Sequence, residues 1–192
     1  MSSAVLLVVA FARIARFMLK AIFFDRDGVI NKPIIRDGSI SSPRAFAEFE
    51  IYSDFVEMHG ELRGENLLMF VVSNQPDVQR KLLLESELAL MTETLQEKFG
   101  FTEIQHCPHS DEAKCECRKP KPGMITKMLK KYGIAPEQAL ILGDSEKDIL
   151  AGKAALVKTV LIRREHNAEL KSLPDYDLSS LSDFLPLVRS VS

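Results

Sequence analysis

The sequence has little of several features that would assign a function at once. Lysine plus arginine (25) is slightly outnumbered by aspartate plus glutamate (27), giving a net charge of −2. Aromatic residues make up 7% and tryptophan is absent, so no basic strip interleaved with aromatics indicates nucleic-acid binding. Cysteine is also scarce, and the three present fall between Cys107 and Cys117. An odd, clustered set argues against a secreted disulfide framework and favours metal binding.

Long hydrophobic runs are missing as well. The apolar stretch at 4–12 is too short to span a bilayer, and Arg13 and Arg16 follow it rather than precede it, unlike a signal peptide. Met18 opens a segment that reads as a natural first strand. We therefore expect translation to start at Met18, residues 1–17 to be an extension or loose tail, and residues 18–192 to form one domain. An amphipathic N-terminal helix is the alternative.

Short apolar runs alternate with amphipathic stretches along the rest of the chain. The runs lack alternation, which predicts strands buried on both faces, as in a parallel sheet. They lie at Ala21–Phe24, Leu67–Val72, Ala139–Leu142 and Thr159–Ile162, with a shorter candidate at Glu103–His106. Apolar residues at helical spacing separate them, and Gly100 and Gly133 close two of these patterns. We predict an α/β, Rossmann-like doubly wound sheet. An antiparallel α+β fold would need hairpin turns, which we do not find.

Polar residues follow the predicted strands at the carboxyl edge, where such sheets bind ligands. Asp25 and Asp27 leave the first strand, Ser73-Asn74 leaves the second, and Asp144 leaves a later one. Paired carboxylates repel unless a cation neutralises them, and Mg²⁺ prefers oxygen ligands. A solvated acidic loop is the ordinary alternative for Asp25 and Asp27 taken alone.

A cationic segment precedes the third predicted helix. Arg118, Lys119 and Lys121 place three positive charges within four residues. Such charges can neutralise a transferring phosphoryl group, although a solvated basic turn is the commoner meaning of such a run. Asp148, one helical turn after Asp144, is a candidate supporting carboxylate.

The ordered set DRDG, SN, RKPKPG and GDxxxD, from about Leu19 to the C-terminal region, resembles the four motifs of the haloacid dehalogenase (HAD) phosphatase superfamily. The resemblance implies that Asp25 is a nucleophile forming an aspartyl-phosphate and that Asp27 is the general acid and base. Ser73 would hydrogen-bond the phosphoryl group, and Lys119 would stabilise Asp25 and the transferring charge.

The same resemblance implies ligand contacts. Mg²⁺ would be held by the carboxylates of Asp25 and Asp144 and by the backbone carbonyl of Asp27. The substrate would contact Asn31, Ser73, Asn74, Arg118 and Lys119.

The cysteines and one histidine form a second set of candidate ligands. Cys107-Pro108-His109 is followed after five residues by Cys115-Glu116-Cys117. Three thiolates and one imidazole form a complete tetrahedral zinc set, which is typical of a structural site. Unrelated buried thiols beside a surface histidine are the alternative. His106 lies outside the spacing, and His59 and His166 are expected to be ordinary surface residues.

The segment from Cys107 to Gly123 resembles the zinc-containing branch (subfamily IIIA), which includes heptose-1,7-bisphosphate 7-phosphatases and histidinol-phosphate phosphatases. Asn31 and the Lys121–Gly123 element look more like the heptose enzymes, whereas the short 110–114 loop looks more like the histidinol enzymes. Pro76–Lys81 replaces the Gly-rich segment that the heptose enzymes tend to carry, and Ser145 replaces the usual lysine.

The resemblance therefore implies a magnesium-dependent phosphomonoesterase with zinc as a structural ion and a phosphorylated small molecule, such as a sugar phosphate, as substrate. Histidinol phosphate and a non-catalytic zinc scaffold stay open. The chain has no room for a large cap domain. The 33–49 loop and the segment from Cys107 to Gly123, here called the zinc loop, would therefore select the substrate. We expect a cytoplasmic monomer without nucleic-acid or membrane partners.

Overall fold

The structure is a computed structural model that describes residues 18–167 and 170–191. The predicted extension at 1–17 lies outside the described residues. Among the helices that are described, none is long and apolar enough to cross a membrane.

A parallel sheet forms the centre of the fold. In chain order, the strands of the described residues are β1 (Ala21–Phe24), β2 (Ile34–Arg36), β3 (Ser39–Ser41), β4 (Leu68–Asn74), β5 (Glu103–Cys107), β6 (Ala139–Gly143), β7 (Lys158–Ile162) and β8 (Tyr176–Leu178). The strand order in the parallel sheet is β5-β4-β1-β6-β7-β8. The five strands expected from the apolar runs are all present, and the short edge strand β8 is an addition. All four residues of β1 are fully buried, as a strand covered on both faces requires.

Helices cover both faces of this sheet. They are α1 (Ser53–Leu62), α2 (Glu85–Phe99), α3 (Gly123–Tyr132), α4 (Glu146–Ala154) and α5 (Phe184–Val191). Helices α1, α2 and α5 pack with Ile22 and Phe24 in one hydrophobic cluster, and α3 and α4 pack with Ala21 and Phe23 in the other. The alternate side chains of β1 thus point into opposite cores, which confirms the doubly wound prediction.

The strand order reverses at β1. The chain runs from β1 outward through β4 to β5, then returns to the other side of β1 with β6, β7 and β8. The carboxyl ends of β1 and β6 therefore flank a topological switch point, where doubly wound sheets bind ligands. Asp25 directly follows β1 and Asp144 directly follows β6, so the fold places both carboxylates at this point.

A small antiparallel hairpin, β2–β3, occupies part of the 33–49 loop. The expectation that the chain has no hairpin turn is therefore wrong here. Asp37 and Gly38 form the turn with φ of 51° and 72°. Positive φ at both central residues is typical of tight hairpin turns and explains the Asp-Gly pair.

Candidate active site

The polar side chains predicted at the sheet edge lie around one small cavity. Asp25 follows β1, Ser73 and Asn74 end β4, and Lys119 reaches the same place from the segment between β5 and α3. The cavity, here called the inner cavity, measures about 110 Å³ and is lined by Asp25, Asp27, Ser42, Ser73, Asn74, Lys119, Ser145, Lys147 and Asp148. Residues distant in sequence therefore bring three carboxylates, three hydroxyl groups and two lysines together around one small space.

Lys119 connects two carboxylates in the floor of the inner cavity. Its Nζ donates to Asp25 Oδ1 at 2.7 Å, to Asp148 Oδ1 at 2.5 Å and to the carbonyl of Val72 at 2.8 Å. Burial favours the neutral amine, but the charges of Asp148 and Asp25 outweigh burial and raise the pKa of Lys119. The ammonium group is therefore fixed beside Asp25, and Asp148 is the carboxylate that holds it there.

Burial raises the pKa of both Asp25 and Asp144. Burial, reinforced by the charge of Asp148, raises the pKa of Asp25 well above its ordinary value despite Lys119. Burial also raises the pKa of Asp144, although His166 acts in the opposite direction. A cation bound between these two buried carboxyl groups would favour their ionised forms and lower both pKa values.

The oxygen atoms of these carboxylates fit a hard divalent cation. Asp25, Asp144 and Asp148 each offer an oxygen within 4.8 Å of the others. Asp148 is already engaged by Lys119 and by the hydroxyl of Ser145 at 2.6 Å, which leaves Asp25 and Asp144 as the available pair. Oxygen ligands on an open, partly hydrated site suit Mg²⁺.

Gly28 makes the approach of the first turn to Asp144 possible. Its φ of +92° disfavours other residues, and a Cβ at this position would lie 1.9 Å from Asp144 Oδ2. Any side chain at Gly28 would therefore push the turn that carries Asp25 and Asp27 away from the end of β6.

Asp27 is held by a dense set of hydrogen bonds. Arg26 donates to both of its carboxylate oxygens, at 2.9 and 3.0 Å, and Asn31, Ser42 and Gln75 donate at 2.9, 2.9 and 2.7 Å. Burial alone would raise the pKa of Asp27, but Arg26 and these hydrogen bonds outweigh it and lower the pKa. The carboxylate is thus ionised and occupied, so only the backbone carbonyl of Asp27 remains for a metal.

Two residues expected to contact substrate have other partners. Asn31 is fully buried and donates to Asp27 and to the carbonyl of Lys32. Asn74 pairs with the backbone of Lys119 in both directions, at 2.9 and 3.0 Å. Asn31 thus supports the Asp27 carboxylate, the side chain of Asn74 fixes the backbone that presents Lys119, and contact of either residue with substrate stays a prediction.

The four predicted zinc ligands lie together beside the inner cavity. The Sγ atoms of Cys107, Cys115 and Cys117 are 3.1–3.6 Å apart, and His109 Nδ1 lies 3.3 Å from Cys117 Sγ. Zinc–sulfur bonds of about 2.3 Å in a tetrahedron give edges of this order, so the set fits one zinc ion. His106 contacts Thr92 instead, at 2.9 Å.

Comparisons with known proteins show the family to which the chain belongs. Residues 116–184 match the HAD-hydrolase-like family model. The chain is 31% identical over 188 residues to the D-glycero-beta-D-manno-heptose-1,7-bisphosphate 7-phosphatase of Pasteurella multocida, covering 91% of this chain and 99% of that protein. It is 34% identical over 185 residues to the enzyme of the same name from Haemophilus ducreyi, covering 88% and 98%.

The chain belongs to the HAD-like phosphatases. A crystal structure of the D,D-heptose 1,7-bisphosphate phosphatase from B. bronchiseptica, complexed with magnesium and phosphate, has the same fold, with a TM-score of 0.76 and 20% identity over 91% of this chain and all of that one.

This HAD-like phosphatase has a second, larger cavity next to the inner one. The outer cavity measures about 510 Å³ and shares Ser42, Asn74 and Lys147 with the inner cavity. Its lining includes the five cations Arg36, Arg44, Arg80, Arg118 and Lys147 and the three carboxylates Asp37, Asp77 and Asp111. Asp77 is buried and binds Arg44 at 2.7 Å and Arg80 at 3.3 Å. The residues that line the outer cavity therefore carry two more positive than negative charges, although one of the cations, Arg36, pairs with Glu48 outside the lining.

Several functional residues of this HAD-like phosphatase were not singled out from the sequence. Arg26, Ser42 and Gln75 hold Asp27, and His166, expected at the surface, contacts Asp144 Oδ2 at 2.7 Å. The signal for Gln75 was its position just after Ser73-Asn74. His166 follows β7, whose carboxyl end lies on the same sheet edge, so strand-end position was a usable signal there too.

Proposed function

We propose that this HAD-like phosphatase is a magnesium-dependent phosphomonoesterase acting on a sugar phosphate that carries a second anionic group, such as D-glycero-D-manno-heptose 1,7-bisphosphate. The observation that carries the proposal is the joining of the Asp25–Lys119 inner cavity to a cationic outer cavity. The names of the 31–34% identical relatives support the same substrate class.

Asp25 is the proposed nucleophile. One of its carboxylate oxygens attacks phosphorus, the bond from phosphorus to the substrate oxygen breaks, and an aspartyl-phosphate forms. Lys119, 2.7 Å from Asp25 Oδ1, stabilises the charge of the transferring group together with the hydroxyl of Ser73. Asp25, Asp144 and the carbonyl of Asp27 would hold Mg²⁺, which supplies further neutralisation of phosphoryl charge when bound.

Asp27 is the proposed acid and base. Its lowered pKa leaves it ionised in the free enzyme, and the approach of an anionic phosphate raises that pKa, since like charges disfavour ionisation. Protonated Asp27 gives its proton to the departing alkoxide, then takes a proton from the water that attacks the aspartyl-phosphate. Phosphate leaves and the Asp25 carboxylate is restored.

The direction in which the alcohol leaves supports a substrate whose alcohol portion also carries a negative charge. Ser42 donates to Asp27 and also lines the outer cavity, so the alcohol protonated by Asp27 leaves toward that cavity. An excess of positive charge there favours a second phosphate. It disfavours histidinol phosphate, whose amine carries a positive charge. The intact set Asp25, Asp27, Lys119 and Asp144 argues against a non-catalytic scaffold.

A substrate panel tests the proposal. We expect kcat/KM to be highest for heptose 1,7-bisphosphate among sugar bisphosphates, sugar monophosphates and histidinol phosphate. Arg80→Met removes a charged donor from the outer cavity and should lower kcat/KM for the bisphosphate about 10-fold or more, with little effect on monophosphates. Arg63→Met, at the exposed end of α1, is the matched control.

The blank for this panel is Asp25→Asn, which should abolish magnesium-dependent phosphate release. Histidinol phosphate as the best substrate, or an equal loss on all substrates in Arg80→Met, would contradict the assigned substrate class. Residual turnover by Asp25→Asn would contradict the nucleophile. We further propose that the enzyme acts in the cytoplasm as a monomer: the zinc thiols must stay reduced, and one chain supplies every proposed catalytic group.

A further inference from the structure

The segment after β7 lies across the two halves of the proposed magnesium site. Residues Arg164–Asn167, here called the strap, contact the turn after β1 and the end of β6 at the same time. The strap lies outside the motifs around Asp25 and Asp144, so the roles proposed for those motifs do not explain its contacts.

Arg164 attaches the strap to the first turn. Its Nε donates to the carbonyl of Gly28 at 3.1 Å, and its guanidinium lies 4.0 Å from the ring centroid of Tyr52 and forms an ion pair with Asp54 at 2.5 Å. A cation stacked on an aromatic ring and paired with a carboxylate has little freedom to move. The strap is thereby fixed on the residue that follows Asp27.

His166 and Asn167 attach the strap to Asp144. His166 Nε2 lies 2.7 Å from Asp144 Oδ2, and Asn167 Nδ2 donates to the backbone carbonyl of Asp144. The imidazole is 13% exposed, and a Cβ at Gly28 would lie 3.0 Å from its Nε2. Gly28, Asp144 and His166 thus pack directly on one another, which a solvated loop histidine would not do.

We propose that His166 is a positioning residue that orients the Asp144 carboxylate for Mg²⁺. This inference rests on the proposed function, which makes Asp144 a ligand. With Nε2–H donating to Oδ2, the carboxylate rotation is fixed and the other oxygen is left for the ion. Partners of this kind behind a metal ligand typically change metal affinity 10–100-fold.

Metal binding measured without turnover tests the role of His166. Free Mn²⁺ is followed by electron paramagnetic resonance during titration of the zinc-loaded, magnesium-free full chain, and Mg²⁺ affinity is obtained by competition. His166→Ala should weaken both affinities about 10-fold or more. His166→Gln keeps an N–H donor near the same place and should restore most of the loss. Glu165→Gln, an exposed neighbour in the strap, should bind as the parent does.

Asp144→Asn separates this inference from the proposed function. If Asp144→Asn binds Mn²⁺ like the parent, the assigned metal site is wrong. If Asp144→Asn loses binding while His166→Ala binds equally well or more tightly, the metal site stands and the positioning role is overturned. Equal weakening by Glu165→Gln, or no rescue by His166→Gln, would likewise overturn the role of the hydrogen bond. Melting temperatures establish that each variant is folded.

Discussion

The side chain of His59 packs among the aromatic rings of the hydrophobic core. Expected at the surface, it is 2% exposed, and its ring lies 4.8 Å from Phe99 and 5.7 Å from Phe101, centroid to centroid. Among the described residues its Nε2 is buried without a hydrogen-bond partner. Burial, with the nearby charge of Arg63, lowers the pKa of His59. The histidine is therefore neutral in the fold and is used as an apolar residue.

This environment predicts a pH-dependent cost. In the unfolded chain His59 titrates near its ordinary pKa of about 6.5, so as the pH falls below that value the unfolded state takes up the proton first and stability declines. His59→Met should remove the part of this decline that His59 contributes and raise the free energy of unfolding at pH 7.5 by about 1 kcal/mol. The part due to His106, whose pKa burial lowers to about 3, should remain. Urea unfolding at pH 7.5 and 5.5 measures both effects. Met58→Leu, a buried neighbour that does not titrate, is the control, and an unchanged pH slope in His59→Met would contradict the prediction.

At the scale of helices and strands, the local sequence pattern predicted where most strands lie but not which residues contact one another. The apolar runs located β1, β4, β6 and β7 to within two residues, because strands buried on both faces show in composition alone. The β2–β3 hairpin was missed although Asp37-Gly38 signals a tight turn, since its exposed Ile35 and Ile40 show no buried face. The burial of His59 likewise depends on packing between helices, which no single segment encodes.

The candidate active site likewise contains contacts that the sequence predicted and contacts that it did not. Asp25 and Ser73 meet because strand ends converge, a rule that sequence can use, whereas Lys119 reaches them from the segment between β5 and α3. The contact of His166 with Asp144 spans 22 residues and that of Gln75 with Asp27 spans 48. Position after a strand end marks both residues as candidates, but the partner of each follows from the sheet order, which becomes known only with the fold.

The zinc loop carries both the four candidate zinc ligands and the proposed catalytic residue Lys119. It runs from Cys107 at the end of β5 to α3, and Lys119 follows Cys117 by two residues. Gly123 permits its close packing, since a Cβ there would lie 2.2 Å from the carbonyl oxygen of Glu116. Zinc bound by the four ligands would therefore determine where Lys119 stands relative to Asp25.

Loss of one zinc ligand should affect both stability and turnover. Cys115→Ser is expected to lower the zinc content below one per chain and the melting temperature by at least about 5 °C, because metal binding contributes folding free energy. It should also lower kcat, since Lys119 would lose its fixed position. Atomic absorption, calorimetry and steady-state kinetics measure the three quantities. Glu112→Gln, an exposed neighbour in the loop, should change none of them, and a Cys115→Ser protein with normal stability would contradict a structural zinc.

At the scale of the whole molecule, two buried carboxylates of the candidate active site lower the folding stability of the chain when no metal is bound. Burial raises the pKa of both Asp25 and Asp144, so without a cation their ionised forms cost the folded state free energy at neutral pH. The sign follows from linkage: the folded state binds these protons more tightly, so the cost is absent at low pH and grows as the pH rises through the folded pKa. A bound cation offsets this cost and stabilises the fold by mass action.

Removing one of these charges should therefore stabilise the magnesium-free chain while it disables the enzyme. Asp144→Asn is expected to raise the melting temperature at pH 7.5 by about 2–4 °C for each kcal/mol of relieved cost. The gain should shrink as the pH falls, because protonation of Asp144 in the parent removes the same charge. The contribution of His59 cancels because both proteins contain it. Added Mg²⁺ should raise the melting temperature of the parent and not of the variant. Asp183→Asn removes an exposed charge and controls for net charge; a variant less stable than the parent without Mg²⁺ would show that the carboxylate supports the fold.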